Sequence, residues 1–169
     1  MTRDFDDLSS MNNSIVDRIN KVASPTDEIY CLGDWAFGGV DSYPEFREKI
    51  NCRKVHLILG NHDGRHGHEF NPIMKGGKPV SSLFESYSYY SELILAKTTF
   101  CLFHYPIASW NRMGQRSIHL FGHCHSSPDN VFFNGGLSMD VGMDGGGPYT
   151  LDSVFEIMRD KSPKSEGHH

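Results

Sequence analysis

Several residues able to hold a divalent cation stand directly after apolar, strand-like runs. Asp34 follows Ile29-Tyr30-Cys31-Leu32 and Gly33; Asn61 follows the run from Val55 to Leu59 and Gly60. His104 follows Phe100 to Phe103, and His123 and His125 follow Ile118 to Phe121 and Gly122. Ligands of open α/β sheets gather at the carboxyl ends of the strands, so this placement predicts that these residues, remote in sequence, meet at one place. Asp34 offers a carboxylate able to bridge two cations, Asn61 a neutral carbonyl oxygen, and the histidines imidazole nitrogens. That mixed nitrogen and oxygen set suits Mn, Fe, Zn or Ni better than Ca or Mg alone, and it needs no thiolate. On an extended segment residues two apart share a face. His123 and His125 would then point to one site, with Cys124 turned away.

The elements that must position these residues follow from periodicity and turn chemistry. Phe5, Leu8, Met11, Ile15, Ile19 and Val22 recur at helical spacing, which predicts an amphipathic helix over 5–22 ended by Ser24-Pro25. Strands are expected at 28–32 and 54–59, with a helix over 41–50 between them that carries Ser42 as its cap and Pro44 in its first turn. This β-loop-α-β order predicts parallel neighbours. Residues 60–82, rich in Gly, His, Pro and Asn, read as a long irregular loop of the functional kind. A hairpin is expected from Ser91–Ala96 and Thr99–Phe103 about a Lys97-Thr98 turn. Further strands are expected at 118–121 and 137–141, then a flexible turn over 144–148 and a helix over 151–160 capped by Thr150.

Composition bounds the class. With 169 residues, 38% apolar and 22% charged, the chain reads as a globular domain over 1–163. Residues 164–169 form a tail in which Glu166-Gly167-His168-His169 looks like the start of a purification tag. The net charge of −5 argues against a broad basic surface for gripping nucleic acid, which is expected only as a substrate. Cys31, Cys52, Cys101 and Cys124 form no C-x-x-C pair; Cys31 and Cys101 read as small buried hydrophobes, and a reducing, cytoplasmic setting is expected. No apolar stretch approaches the roughly 20 residues of a membrane span, and no membrane partner is expected.

Gly33-Asp34, Gly60-Asn61-His62-Asp63, a lone His104 after a strand and Gly122-His123-Cys124-His125, in that order, resemble the motifs of the calcineurin-like metallophosphoesterases. The resemblance runs from about Asp27 to Asp144 and includes the Phe103-His104-Tyr105-Pro106 context with Trp110. It implies an α/β (α+β) fold whose two-sheet β-sandwich core is flanked by helices. It also implies a metal-dependent phosphoesterase that hydrolyses a phosphomonoester or phosphodiester with a metal-activated hydroxide. Asp34 would bridge two metals, Asn61, His104 and His123 would complete one site, and His125 would belong to the other. His62 would contact phosphate and protonate the leaving group, with Asp63 orienting it. Two cations can activate a water and clamp phosphoryl oxygens, and imidazole titrates near neutrality, as a general acid should. One or two divalent ions are therefore expected, manganese favoured, with a small phosphorylated substrate.

One departure from the family pattern stands out. The family carries an Asp-x-His motif on a strand before the first helix, and this sequence has none; Asp4, Asp6 and Asp7 supply carboxylates without it. The expectation is a first strand missing, one metal position specified fully by Asp34, Asn61, His104 and His123, and the second only by Asp34 and His125. The alternative function is then a catalytically degenerate metal- or phosphate-binding domain. A sheet short of a central strand would expose an edge for a second copy of the chain to cover. Among the remaining residues, His56 reads as a satisfied strand histidine, His66 and His68 as loop histidines, and Asp144 as structural. Arg112 and Arg116 read either as phosphate ligands or as surface charges, and Trp35 and Phe37 as pocket wall or packing.

Overall fold

The computed structural model describes residues 7–36, 39–63, 72–125 and 136–163. The expectations placed on Asp4, Phe5, Asp6, Phe37, His66, His68 and the 164–169 tail lie outside these residues. Helix α1 spans Leu8–Val22, and Asp7 is its cap, its Oδ1 accepting from Ser10 N at 2.7 Å. Strand β1 (Glu28–Cys31), helix α2 (Ser42–Glu48) and strand β2 (Lys54–Ile58) follow. The cap position of α2 is Asp41 rather than Ser42, and Ser42 Oγ instead donates to Gly39 O at 2.6 Å. Next come β3 (Ser86–Ser88), β4 (Tyr90–Leu95), β5 (Thr98–Phe103), β6 (Ile118–Phe121), β7 (Ser138–Asp140) and helix α3 (Leu151–Arg159). Thr150 caps α3 as expected, accepting from Ser153 N at 3.1 Å.

The strands form two sheets, β1-β2-β3 and β4-β5-β6-β7, in a mixed α/β chain with three α-helices among the described residues. β1, β2 and β3 are mutually parallel, as the crossover through α2 requires. In the second sheet β4 and β5 form an antiparallel hairpin, while β5, β6 and β7 are parallel. The hairpin turn is Ala96-Lys97, one residue earlier than expected, with both residues left-handed at φ 47° and 65°. The loop expected over 60–82 contains order: Val80–Leu83 is a 3-10 turn and Ile73 bridges Pro79.

Alternation along the strands explains how both faces of the first sheet are covered. Ile29, Cys31, Val55 and Leu57 point to one side, where Trp35, Tyr43, Ile50 and Phe84 complete a core that also receives Ile19 of α1. Tyr30 and Ile58 point to the other, into a second core built from Leu32, Phe100, Leu102, Ile118, Leu137 and the α3 residues Val154 and Met158. The second core joins the sheets, so the ends of β1, β2, β5 and β6 are held in fixed relation. At about 3.3 Å per residue, each strand carries its ligand residue away from the start of the sheet to one common edge.

Candidate metal centre

Asp34, His104 and His123 each present a ligand atom, and these atoms lie within 4.8 Å of one another. Among the described residues this is the one such group of His, Cys, Asp and Glu. Asn61 joins it, its Oδ1 lying 3.0 Å from His104 Nε2, while Asp34 Oδ2 is 3.5 Å from the same nitrogen. His104 is 1% exposed, and its Nδ1 can only be a donor, because it faces the carbonyl of Leu32 at 2.7 Å. Its Nε2 therefore faces the two oxygens. Together they make a nitrogen and oxygen donor set for a cation, and a carbonyl holding the far nitrogen is how ligating histidines are oriented. His123 is exposed, its ring 5.1 Å from His104 and 4.8 Å from Tyr105. Partial desolvation of the ring among its neighbours, reinforced by His104, holds its imidazole below the usual histidine range and so favours the neutral form that binds metal.

The glycines of the motifs are there because these backbones must touch. A Cβ on Gly33, which sits at φ 98°, would lie 2.2 Å from His104 Nδ1 and 2.8 Å from the Gly60 backbone. A Cβ on Gly60 would lie 2.3 Å from Asp34 Oδ1 and 2.8 Å from His104 Cε1. Only glycine leaves room for the carboxylate and the imidazole to converge.

Asp63 ties the two ligand loops together. This buried carboxylate accepts at Oδ2 from Asp34 N (2.7 Å) and Gly60 N (2.8 Å), and at Oδ1 from Trp35 N (2.8 Å) and the Tyr43 hydroxyl (2.9 Å). Burial, and then the adjacent Asp63 carboxylate, push the Tyr43 phenol well above its ordinary range, so it stays a donor. The family resemblance implies that Asp63 orients His62; in the structure its oxygens hold the turns that carry Asp34 and Asn61. His62 itself is exposed, and its backbone N–H donates to Asp34 Oδ1 at 2.9 Å, which anchors it at the rim of the cluster.

His125 stands apart from the group of Asp34, His104 and His123. Its Nδ1 donates to Asp144 Oδ2 at 2.8 Å. The expected extended segment does not form: His123 and His125 are left-handed, at φ 66° and 49°, and Cys124 N turns back to Gly122 O at 2.7 Å. A chain folded this tightly does not present alternate residues on one face. Trp35 is a core residue, packed edge-on against Phe46 and Phe84. His56 stacks on Tyr30 at 4.4 Å and bonds Ser86 Oγ through Nδ1 at 2.7 Å; its Nε2 has no hydrogen-bond partner among the described residues and lies 3.9 Å from Glu28 Oε2. Arg112 and Arg116 flank the Met113–Gln115 turn that leads into the start of β6, the end opposite His123. Burial pushes the Cys31 thiol up to about 12, which favours the protonated form. Sequence reasoning missed the Leu32 carbonyl, Tyr43, Tyr105 and the pairing of Asp144 with His125. Of these only Tyr105 carried a signal, its place next to His104.

A family model for the calcineurin-like phosphoesterases matches residues 3–167, and the chain belongs to that family. Its members are phosphoester hydrolases that use divalent metals, and the cluster above has the donors for one. The fold is similar to that of AQ665 from Aquifex aeolicus, described as a protein of unknown function, with a TM-score of 0.57 and 17% identity over 82% of this chain and 79% of that one. The comparison with curated proteins returned no match. No helix among the described residues is long and apolar enough to cross a membrane.

Proposed function

We propose that this chain hydrolyses a phosphomonoester or phosphodiester at the cluster of Asp34, Asn61, His104 and His123, loaded with a divalent cation. The observation that carries the reading is the placement of His104 Nε2. It faces Asn61 Oδ1 at 3.0 Å and Asp34 Oδ2 at 3.5 Å while Nδ1 is committed to Leu32 O. Imidazole, carboxylate and amide donors fit Mn, Fe, Zn or Ni, with Mn favoured. When bound, such an ion supplies Lewis acidity toward phosphoryl oxygen and lowers the pKa of water. The chain's own groups do the rest. Asp63 fixes the loops, Gly33 and Gly60 allow close approach, and Leu32 O sets the His104 tautomer. His62, exposed at the rim and tied by its N–H to Asp34, protonates the leaving oxygen.

A second reading, a metal- or phosphate-binding domain without turnover, draws on one observation: His125 pairs with Asp144 and lies outside the one ligand group among the described residues. Metal stoichiometry measured together with Mn-stimulated hydrolysis of a p-nitrophenyl phosphodiester separates the two. Turnover that is lost in Asp34→Asn supports the hydrolase. One bound metal with no turnover under any divalent ion sinks it in favour of the binding domain.

A further inference from the structure

One cavity in the described part of the molecule lies away from the metal centre. It has a volume of about 440 Å³ and lies at the opposite end of the second sheet, lined by Thr98 and Thr99 at the start of β5 and Ile118 at the start of β6. At about 3.3 Å per residue, the length of β5 separates it from His104 by roughly 20 Å, so one small substrate cannot occupy both. Its rim carries Lys97, Arg112, Arg116 and Arg159, and no acidic side chain lines it. Arg159 is paired with Glu156 at 3.7 Å, so in a chain of net charge −5 Lys97, Arg112 and Arg116 supply most of the local positive charge, and low-dielectric walls focus such a field. The floor is apolar, with Leu137, Phe155 and Met158. The Phe155 ring packs edge-on against Phe100 at 5.7 Å, which fixes its orientation.

The loop that presents the arginines is rigid. The Arg112 carbonyl accepts from Gln115 N (2.8 Å) and Ser117 N (3.2 Å), and Trp110 Nε1 donates to Ser117 O (3.3 Å) over the buried Met113. Arg112 and Arg116 both hold left-handed backbone, at φ 59° and 69°. That conformation costs a side-chain-bearing residue of order 1 kcal/mol or more and concentrates at ligand clamps. The volume falls in the range of small-molecule sites.

We propose that this cavity is a second ligand site for an amphiphilic organic polyphosphate of nucleoside-diphosphate size. The phosphates lie on Arg112, Arg116, Arg159 and Lys97, and the aromatic body lies against Phe155 and Leu137. The test is calorimetric titration of the full chain, stripped of metal by chelation and dialysis, with ADP, inorganic pyrophosphate and adenosine. Saturable 1:1 binding of ADP is expected, at least about tenfold tighter than either fragment, since each contributes only the rim or only the floor. The double variant Arg116→Glu, Arg159→Glu, whose altered side chains are both exposed, should weaken ADP at least about tenfold without changing the melting temperature. Asp34→Asn should leave the affinity unchanged. No saturable ADP binding, or binding lost in Asp34→Asn but kept in the arginine variant, overturns the proposal. Pyrophosphate binding as tightly as ADP overturns the role given to the apolar floor.

Discussion

Replacing Asp63 by Asn separates two roles for that carboxylate. Each oxygen accepts two bonds: Oδ2 from Asp34 N and Gly60 N, Oδ1 from Trp35 N and the Tyr43 hydroxyl. An amide must put an NH2 in place of one oxygen, so whichever way it turns, two donors face a donor. Hydrogen bonds to a charged partner are worth about 1.5–3 kcal/mol each, which gives a loss of roughly 3–6 kcal/mol. A domain of this size shifts its midpoint by about 2–4 °C per kcal/mol, so the melting temperature should fall by roughly 6–24 °C. Metal affinity should fall with it, because the turns carrying Asp34 and Asn61 lose their common anchor. Differential scanning calorimetry and metal analysis on the same preparation read both effects. Tyr43→Phe removes one neutral donor and should cost only about 1 kcal/mol. The reasoning is refuted if Asp63→Asn melts within about 2 °C of the parent and keeps its metal while losing turnover. That outcome would restore the simpler view in which Asp63 serves His62 alone.

The remaining predictions concern the ligand loops and one buried histidine. Gly60→Ala places a methyl 2.3 Å from Asp34 Oδ1, so metal content should drop to background; full occupancy would show that the loops give way. His62→Ala should cut turnover of a p-nitrophenyl phosphodiester by about 100-fold or more with metal content unchanged, and a parallel loss of metal would remove it from the role of proton donor. His119 is fully buried, its Nδ1 bonded to Cys101 O at 3.1 Å, and burial holds its imidazole below the ordinary value of 6.5. The unfolded chain therefore binds more protons than the folded one as pH falls past about 6.5. Stability should be fully present above that pH and decline below it. Urea unfolding between about pH 7.5 and 5 checks this, and His119→Leu should flatten the slope; an unchanged slope would place the acid sensitivity elsewhere.

The sequence carried the strands and their ends well, because Gly33-Asp34 and Gly60-Asn61 combine apolar runs with turn residues whose chemistry is local. The hairpin was misplaced by one residue because Ala96 and Lys97 adopt the left-handed turn without the Asn or Gly that usually signals it. The His123–His125 segment was read as extended for the same reason, since nothing in the residue types announces left-handed histidines. The role of Asp63 was not legible because its donors lie 20 to 29 residues away, at Tyr43, Asp34 and Trp35. The partner of His125, Asp144, is 19 residues on. Arg112 and Arg116 carried the right chemistry for phosphate, but topology sets them at the far end of β6 from the metal ligands.

The central claim is that Asp34, Asn61, His104 and His123 form one cation site. Anomalous diffraction at the manganese edge, from crystals soaked in Mn, tests it most directly. The account predicts a peak within about 2.3 Å of an Asp34 carboxylate oxygen, His104 Nε2 and a His123 ring nitrogen, absent in Asp34→Asn crystals. A peak elsewhere with this cluster empty, or an unchanged peak in Asp34→Asn, would contradict it.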